Sequence, residues 1–495
     1  MIINILDILN LEVLKNNLSL EMILMMTMTS NKVKRLVDNM HPNVNIHLDK
    51  RCWEDESNSI INKKLDFILM QLNKFNKRCN ITKLEMIRCR IGPSKTMKLV
   101  KILNSCQSLS HIDLRWNKIG QIGANRLAEL IGSCPLLVHL NLSFNQIGSA
   151  GIESFTRVIT QSQHYPLAIK YLNLYKNQIG DIGAESLARV LPLCPKLSTL
   201  NLGNNKIGPA GIESLSRMLQ LCSNLSHLEI HNNRLGDVGA ESLSRVLPLC
   251  KKLSNLYLSF VRFGPVGIVS IARALPLCSA LTLLNLNMNL IGDDGTESIA
   301  RVLTQCQSLA SLDLGDNQIG LAGADSLSRV LPQCSSLASL YLCDNHIGDV
   351  GTDSLSRVLS HSTSLTCLNL NMNHISDTGA NSLARVLPQS TTLTYLYLSS
   401  NQIGNTGAES FARVLPQSIA LTHLDLNMNR IGDTGAESLA RVLPLCQTLT
   451  HLAINYNKFS IIGVIRLKEV ETDLSWLSLE LSYWLTLEGN ILQLL

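Results

Sequence analysis

Between residues 81 and 472 one pattern returns fourteen times, L-x-x-L-x-L-x-x-N-x-I-G followed by G-A-x-x-L-x-x-x-L. Residues 421–448, LTHLDLNMNRIGDTGAESLARVLPLCQT, show it in full. Its asparagine slot is filled at Asn117, Asn145, Asn177, Asn205, Asn233, Asn289, Asn317, Asn345, Asn373, Asn401, Asn429 and Asn457, and by Cys89 and Val261 once each. Neighbouring slots are 28 residues apart, except for a 32-residue step from Asn145 to Asn177, where residues 161–166 carry the insertion. A period of about 20 to 50 residues allows few folds, because one copy cannot bury its apolar face alone. The copies must stack, and a stacked core lengthens instead of dividing into separate domains.

Within a copy the pattern changes period. Leu424 and Leu426 alternate with Asp425 and Asn427, which predicts a short strand with leucines inward and polar side chains outward. Asn429 ends the strand, and its amide is expected to join a ladder of stacked asparagines that satisfies turn groups the interior cannot pair. Gly432 and Gly435 allow a tight turn into a helix over residues 436–443, with Leu439 and Leu443 on one face, and Pro444 stops it.

This frame resembles the leucine-rich repeat family, and its helical second half resembles the ribonuclease-inhibitor-like subclass. The resemblance implies an α/β solenoid, a horseshoe with parallel strands on the concave face and helices on the convex face. Ribonuclease inhibitors, the sensor regions of nucleotide-binding innate immune receptors and Ran GTPase-activating proteins share that subclass, so the fold constrains function only weakly.

The ends depart from the repeat. Residues 1–42 carry apolar positions at helical spacing and are expected to be helical, either as a cap on the first repeat or as a divergent F-box. Residues 18–37 carry the second reading: a leucine-rich segment precedes TSNKVKRL at 29–36, similar to the second half of an F-box, although Val33 replaces the usual aromatic and no L-P-x-E opening is present. Residues 43–80, with VNIHL at 44–48 and helical periodicity over 57–75, read as a degenerate first repeat. Residues 473–495 keep a strand frame at Leu474, Leu477 and Leu479 and are expected to cap the last leucine layer.

Chemistry is sparse. The segment IGPSKT at 91–96 has Ser94 where a phosphate loop needs glycine, and Gly92 is the ordinary frame glycine. Motifs of the H-E-x-x-H and G-x-S-x-G kind are missing. His111, His139, His227, His423 and His451 recur at one strand position, which marks duplication and not a metal site. No enzyme activity and no cofactor are expected. The formal net charge of +5 includes no lysine or arginine tract, so no nucleic-acid partner is expected, and no apolar run reaches the ~18 residues of a membrane span. Nine of the 14 cysteines fall eleven residues before the slot, where Ser362, Ser390 and Ser418 replace them in other copies. An exchange between small side chains reads as a packed, reduced ladder, consistent with cytoplasm or nucleus. Nine acid-to-arginine pairs at i,i+4, from Glu153 and Arg157 to Glu437 and Arg441, read as a solvated helix face.

What remains is the outward face of the strands, where parallel pairing sets columns about 4.8 Å apart. That wall carries Arg115, Trp116, Phe144, Tyr171, Tyr175 and Lys176, then Tyr257, Phe260, Tyr341, Tyr395 and Tyr397. Exposed aromatics with occasional arginine are the composition of protein-binding hot spots. The sequence therefore points to a monomeric, non-enzymatic scaffold holding a protein partner on its concave face. The alternatives are an F-box-like substrate receptor docking a cullin-ligase adaptor, a GTPase-activating regulator, and a sensor-only relative of immune receptors.

Overall fold

The computed structural model describes residues 80–104, 106–161 and 167–473, together with Leu18–Ser19, Asn43–Asp49, Asp66, Leu69, Ser478–Glu480, Tyr483–Leu487 and Asn490–Leu494. It divides into two compact units, Met1–Leu235 and Gly236–Leu495. A single repeat domain sufficed for the sequence; because each repeat touches only its neighbours, a long stack has no core common to all of it.

In the first unit, strands Asn80–Ile87, His111–Asp113, His139–Asn141, Tyr171–Asn173, Thr199–Asn201 and His227–Glu229 pair in parallel, each with the next in sequence. The register is constant: Lys83, His111, His139, Tyr171, Thr199 and His227 form one column. Strand Asn43–Asp49 precedes them, as VNIHL predicts, and pairs with Leu18–Ser19. Those two residues are therefore extended, in a segment whose spacing predicts helix. The remainder of the F-box-like stretch lies outside the described residues. In the second unit, strands from Asn255–Tyr257 to Ser478–Glu480 follow the same rule. The last of them places Leu479 beside Leu452, and an antiparallel hairpin of Tyr483–Leu487 and Asn490–Leu494 follows.

From His111–Asp113 to Ser478–Glu480 the strands of the repeats are three residues long, because only the leucines of L-x-L face inward. Leu312, Leu314, Leu340 and Leu342 have no exposed surface. Behind them the helices run from about Gly92–Leu103 to Ile461–Asp473. In the copies that carry it, proline decides where the helix stops. In Asp433–Val442 the α-helix ends two residues before Pro444, and Leu443–Leu445 forms a 3-10 turn. Where Thr304 stands in place of proline, the helix runs on as Gly292–Leu303. Proline has no N–H to give to the preceding turn, so the chain tightens instead of continuing.

The asparagine ladder forms as the sequence predicts. Asn145 Oδ1 accepts from the backbone N–H of Asn117 at 3.0 Å and of Ile119 at 3.3 Å, one copy earlier. Its Nδ2 donates to the carbonyls of Leu114, Leu142 and Ser143 at 2.9, 2.9 and 3.1 Å. The cysteine ladder is also packed: Cys306 and Cys446 set their thiols on the carbonyls of Val302 and Val442, both at 3.4 Å, closing the last turn of the helix.

A third ladder is not evident from one copy alone. Four residues after the slot, an aspartate accepts from the backbone at the start of the next helix: Asp293 Oδ1 takes the N–H of Gly320 at 2.7 Å and of Gly323 at 2.8 Å. Asp181, Asp349, Asp377 and Asp433 act likewise, and Asn405 substitutes its amide oxygen. This acceptor selects the form of the following turn. Copies that follow it keep an extended residue there, as at Gly320 with φ −105° and Ser376 with φ −96°. Copies that follow Pro93, Gln121, Pro265 or Leu321 instead place glycine in the left-handed region, at Gly120, Gly148, Gly292 and Gly348. Gly432 and Gly435 accordingly do not supply positive φ. Gly432 is extended, and Gly435 is required by close approach, since a Cβ there would meet Ile431 Cγ2 at 2.7 Å and Asn405 Oδ1 at 2.9 Å.

Two substitutions separate these roles. Asp293→Ala is expected to cost about 1 kcal/mol in urea unfolding, the value of a lost helix cap, since Gly320 can relax to positive φ. Asp349→Ala is expected to cost about 1 kcal/mol more, because Ser376 would be forced into a region unfavourable to a Cβ. Equal losses at the two sites would refute the coupling between acceptor and turn.

On the helix face, six of the nine acid–arginine pairs close, among them Arg217 with Glu213 at 2.6 Å and Arg301 with Glu297 at 2.7 Å. Among the described residues, Glu153–Arg157, Glu409–Arg413 and Glu437–Arg441 do not, as befits exposed pairs worth only tenths of a kcal/mol each, about 0.2 to 0.5.

Candidate protein-binding face

In the first unit the turns after the strands from Asn80–Ile87 to Thr199–Asn201 have residues in the left-handed region on either side of the buried ladder slot, as at Trp116 and Lys118 and again at Phe144 and Gln146. The slot side chain goes inward, so its two neighbours go out. Because the register is constant, outward residues 28 apart become adjacent. Trp116 and Phe144 stack with centroids 3.6 Å apart and planes at 13°, and Phe144 meets Tyr175 at 5.1 Å. Tyr175 in turn meets His231 at 5.4 Å.

These rings wall a groove of about 480 Å³ that also includes Arg88, Arg115, Tyr171 and Glu229. Of the residues read from the sequence, Arg115, Trp116, Phe144, Tyr171 and Tyr175 therefore share one site, and Lys176 lies over the Phe144 ring at 5.1 Å. Trp116 is 41% exposed, while Phe144 and Tyr175 are half-buried. Arg88 covers the other face of Trp116 at 5.1 Å.

The floor is polar and is built from the third residue of each strand. Asn141 Nδ2 donates to Asp113 Oδ2 at 3.3 Å, and Asn201 Nδ2 donates to Glu229 Oε2 at 2.5 Å. Asn141, Asn173 and Asn201 each turn Oδ1 to the backbone N–H two residues on, in Ser143, Tyr175 and Gly203. Burial raises the Asp113 and Glu229 carboxyls and lowers the His231 imidazole. With both groups pushed toward neutrality, the 3.9 Å approach of His231 Nδ1 to Glu229 is not an ion pair at neutral pH. Arg88, His231, Glu229 and the floor asparagines escape a reading of single copies; the signal is the column obtained by stepping through the sequence 28 residues at a time.

Beside the groove runs a second column, in which His111 stacks on His139 at 5.5 Å and His139 on Tyr171 at 4.1 Å. Burial holds His139 down at about 4. Among the described residues no group of His, Cys, Asp and Glu is arranged to hold a metal ion. The second unit gathers its aromatics less tightly. Tyr395 meets His423 at 4.4 Å, His423 stacks on His451 at 4.0 Å, and Tyr395 and Tyr397 lie 6.4 Å apart. Tyr341 is half-buried, and burial raises its phenol. Tyr257 is half-buried and Phe260 is 51% exposed, without a ring partner among the described residues. Phe263 is wholly buried in the copy where Val261 replaces the asparagine.

The family described as Leucine Rich repeat matches nine segments, residues 105–128, 133–155, 169–188, 193–216, 221–244, 305–328, 361–384, 389–412 and 417–440. The chain is a leucine-rich repeat protein. Each matched segment joins the end of one helix to the next helix through the strand and turn that form the face described above. Among solved structures, this leucine-rich repeat chain is similar to an internalin from Listeria monocytogenes, with 24% identity, coverage of 71% of this chain and 88% of the internalin, and a TM-score of 0.40. No curated protein matches it. Among the described residues no helix is long and apolar enough to cross a membrane.

Proposed function

We propose that this leucine-rich repeat protein is a non-enzymatic scaffold that holds a protein partner on the strand face, with the Trp116–Phe144–Tyr175 groove as its principal anchor. The observation that carries the reading is the ring cluster: three rings from consecutive repeats, two stacked and the third tilted against them, partly exposed, over a floor whose asparagines already hold their own turns. Rings fixed by one another lose little freedom on binding, which is the property of a hot spot. Tyr395, Tyr397, Tyr341 and Phe260 form a secondary surface in the second unit. Within this reading, residues 81–472 carry the binding repeats, of ribonuclease-inhibitor-like type, and the ends close them.

The test compares proteins captured from cell extract by the full chain, by a Trp116→Ala/Phe144→Ala variant and by a Glu213→Ala/Arg217→Ala variant on the helix face. Specific partners are expected to disappear with the first variant and persist with the second. Loss with the helix-face variant alone would overturn the assignment.

A further inference from the structure

Cations of the first unit differ in their surroundings. On the helix face Arg126, Arg189 and Arg217 each sit against a carboxylate, at 2.8, 3.2 and 2.6 Å, while Arg157 does not. At the turn edge, the positions flanking the ladder slot supply Arg88, Arg90, Lys118, Lys176, Lys206 and Arg234, all exposed. None of these six lies within 4.0 Å of a carboxylate among the described residues, and the other flanking positions hold only Trp116, Phe144 and amide side chains. The acids of this face lie instead on the strands, where Glu85 pairs with Lys83, Asp113 meets Asn141 and Arg115, and Glu229 accepts from Asn201. The unit thus carries an uncompensated positive edge beside an aromatic groove.

We propose that this edge receives an acidic segment of a protein partner, its carboxylates pairing with the edge cations while one apolar side chain enters the groove against Trp116 and Phe144. The inference rests on the strand-face reading above and adds the chemistry of the occupant. A single-stranded nucleic acid would also be drawn to the charge, but it binds by stacking bases on open ring faces. Here those faces are taken: Trp116 and Phe144 cover each other at 3.6 Å, and Arg88 and Lys176 lie over the two rings. Trp116 and Phe144 therefore offer their edges, which suits side-chain packing.

The test is selection of displayed random peptides of about a dozen residues on the full chain, followed by anisotropy titration of the winners. Binding is measured to the parent, to Arg90→Glu/Lys118→Glu/Lys206→Glu, whose positions are exposed and outside the groove, and to Trp116→Ala. Acid-rich winners are expected, losing about tenfold or more in affinity on the charge reversal and weakening with added salt. Neutral or apolar winners that Trp116→Ala abolishes and the reversal leaves unchanged would overturn the acidic occupant while leaving the protein-binding face standing. A uridine-rich RNA oligonucleotide that binds more tightly than any selected peptide, and is lost on the reversal, would overturn it in favour of nucleic acid. Absence of any enriched peptide would overturn both readings.

Discussion

Asn345→Ala is expected to destabilise the second unit by about 3 kcal/mol, near the upper end of what stranding a buried polar group costs. Asn345 Oδ1 accepts from Asn317 and Ile319 at 3.0 and 2.9 Å, and its Nδ2 reaches the carbonyls of Leu314, Leu342 and Cys343 at 3.0, 3.0 and 3.2 Å. Alanine removes every one of these bonds and offers nothing in exchange. Asn317→Ala is expected to cost roughly half as much, ~1 to 2 kcal/mol, because Asn317 Oδ1 is buried without a partner and only its Nδ2 bonds, to Leu286 and Gly315, are lost. Val261→Asn is expected to leave the melting temperature unchanged or raised. It adds a second donor to the Leu258 carbonyl, which now receives only Asn289, whereas Leu286 receives both Asn289 and Asn317. Urea unfolding of the three variants decides the matter, and equal losses at Asn345 and Asn317 would show that the amide oxygen contributes nothing.

The second large effect is on alkaline stability. Burial pushes the Cys194 thiol from its ordinary 9.0 up to about 12, so the folded chain keeps a proton that the unfolded chain releases. A folded-state pKa above the unfolded one gives stability that is complete below pH 9.0 and declines as pH rises toward about 12. The slope is about 1.4 kcal/mol per pH unit for this one group. Serine occupies the equivalent place at Ser362, Ser390 and Ser418, so Cys194→Ser is expected to fold. The parent is expected to be the more stable at pH 8 and to lose that advantage by pH 10.5 in urea titrations. Parallel pH dependences would show that the Cys194 thiol titrates normally in the folded chain. The same burial leaves little thiolate at neutral pH, which accords with a packing role for these cysteines.

Repeat, strand, helix and both of the ladders made from one residue type were legible in the sequence because each depends only on inward or outward direction within a copy. Alternation places Leu312 and Leu314 inside, and once copies stack, an asparagine at the strand end has only turn groups to bond. The candidate site was half legible. Trp116, Phe144 and Tyr175 could be picked out as outward aromatics, yet their joining into one wall depends on the strand register, which sets residue against residue across a gap of 28 or 32 positions. Of the partners that complete the groove, Arg88 comes from the copy before Trp116, and Glu229 and His231 come from copies farther along. The turn form at Gly320 was undecidable from its own copy, because the deciding acceptor, Asp293, belongs to the copy before. The composition likewise shows +5 spread evenly, whereas the fold sets Arg189 and Arg217 against acids on the helix face and leaves the turn-edge cations of the first unit with no carboxylate within 4.0 Å among the described residues. Direction is a property of the local backbone and can be read from spacing. Adjacency between copies exists only once the backbone hydrogen bonds of the stacked strands have fixed which rung lies beside which.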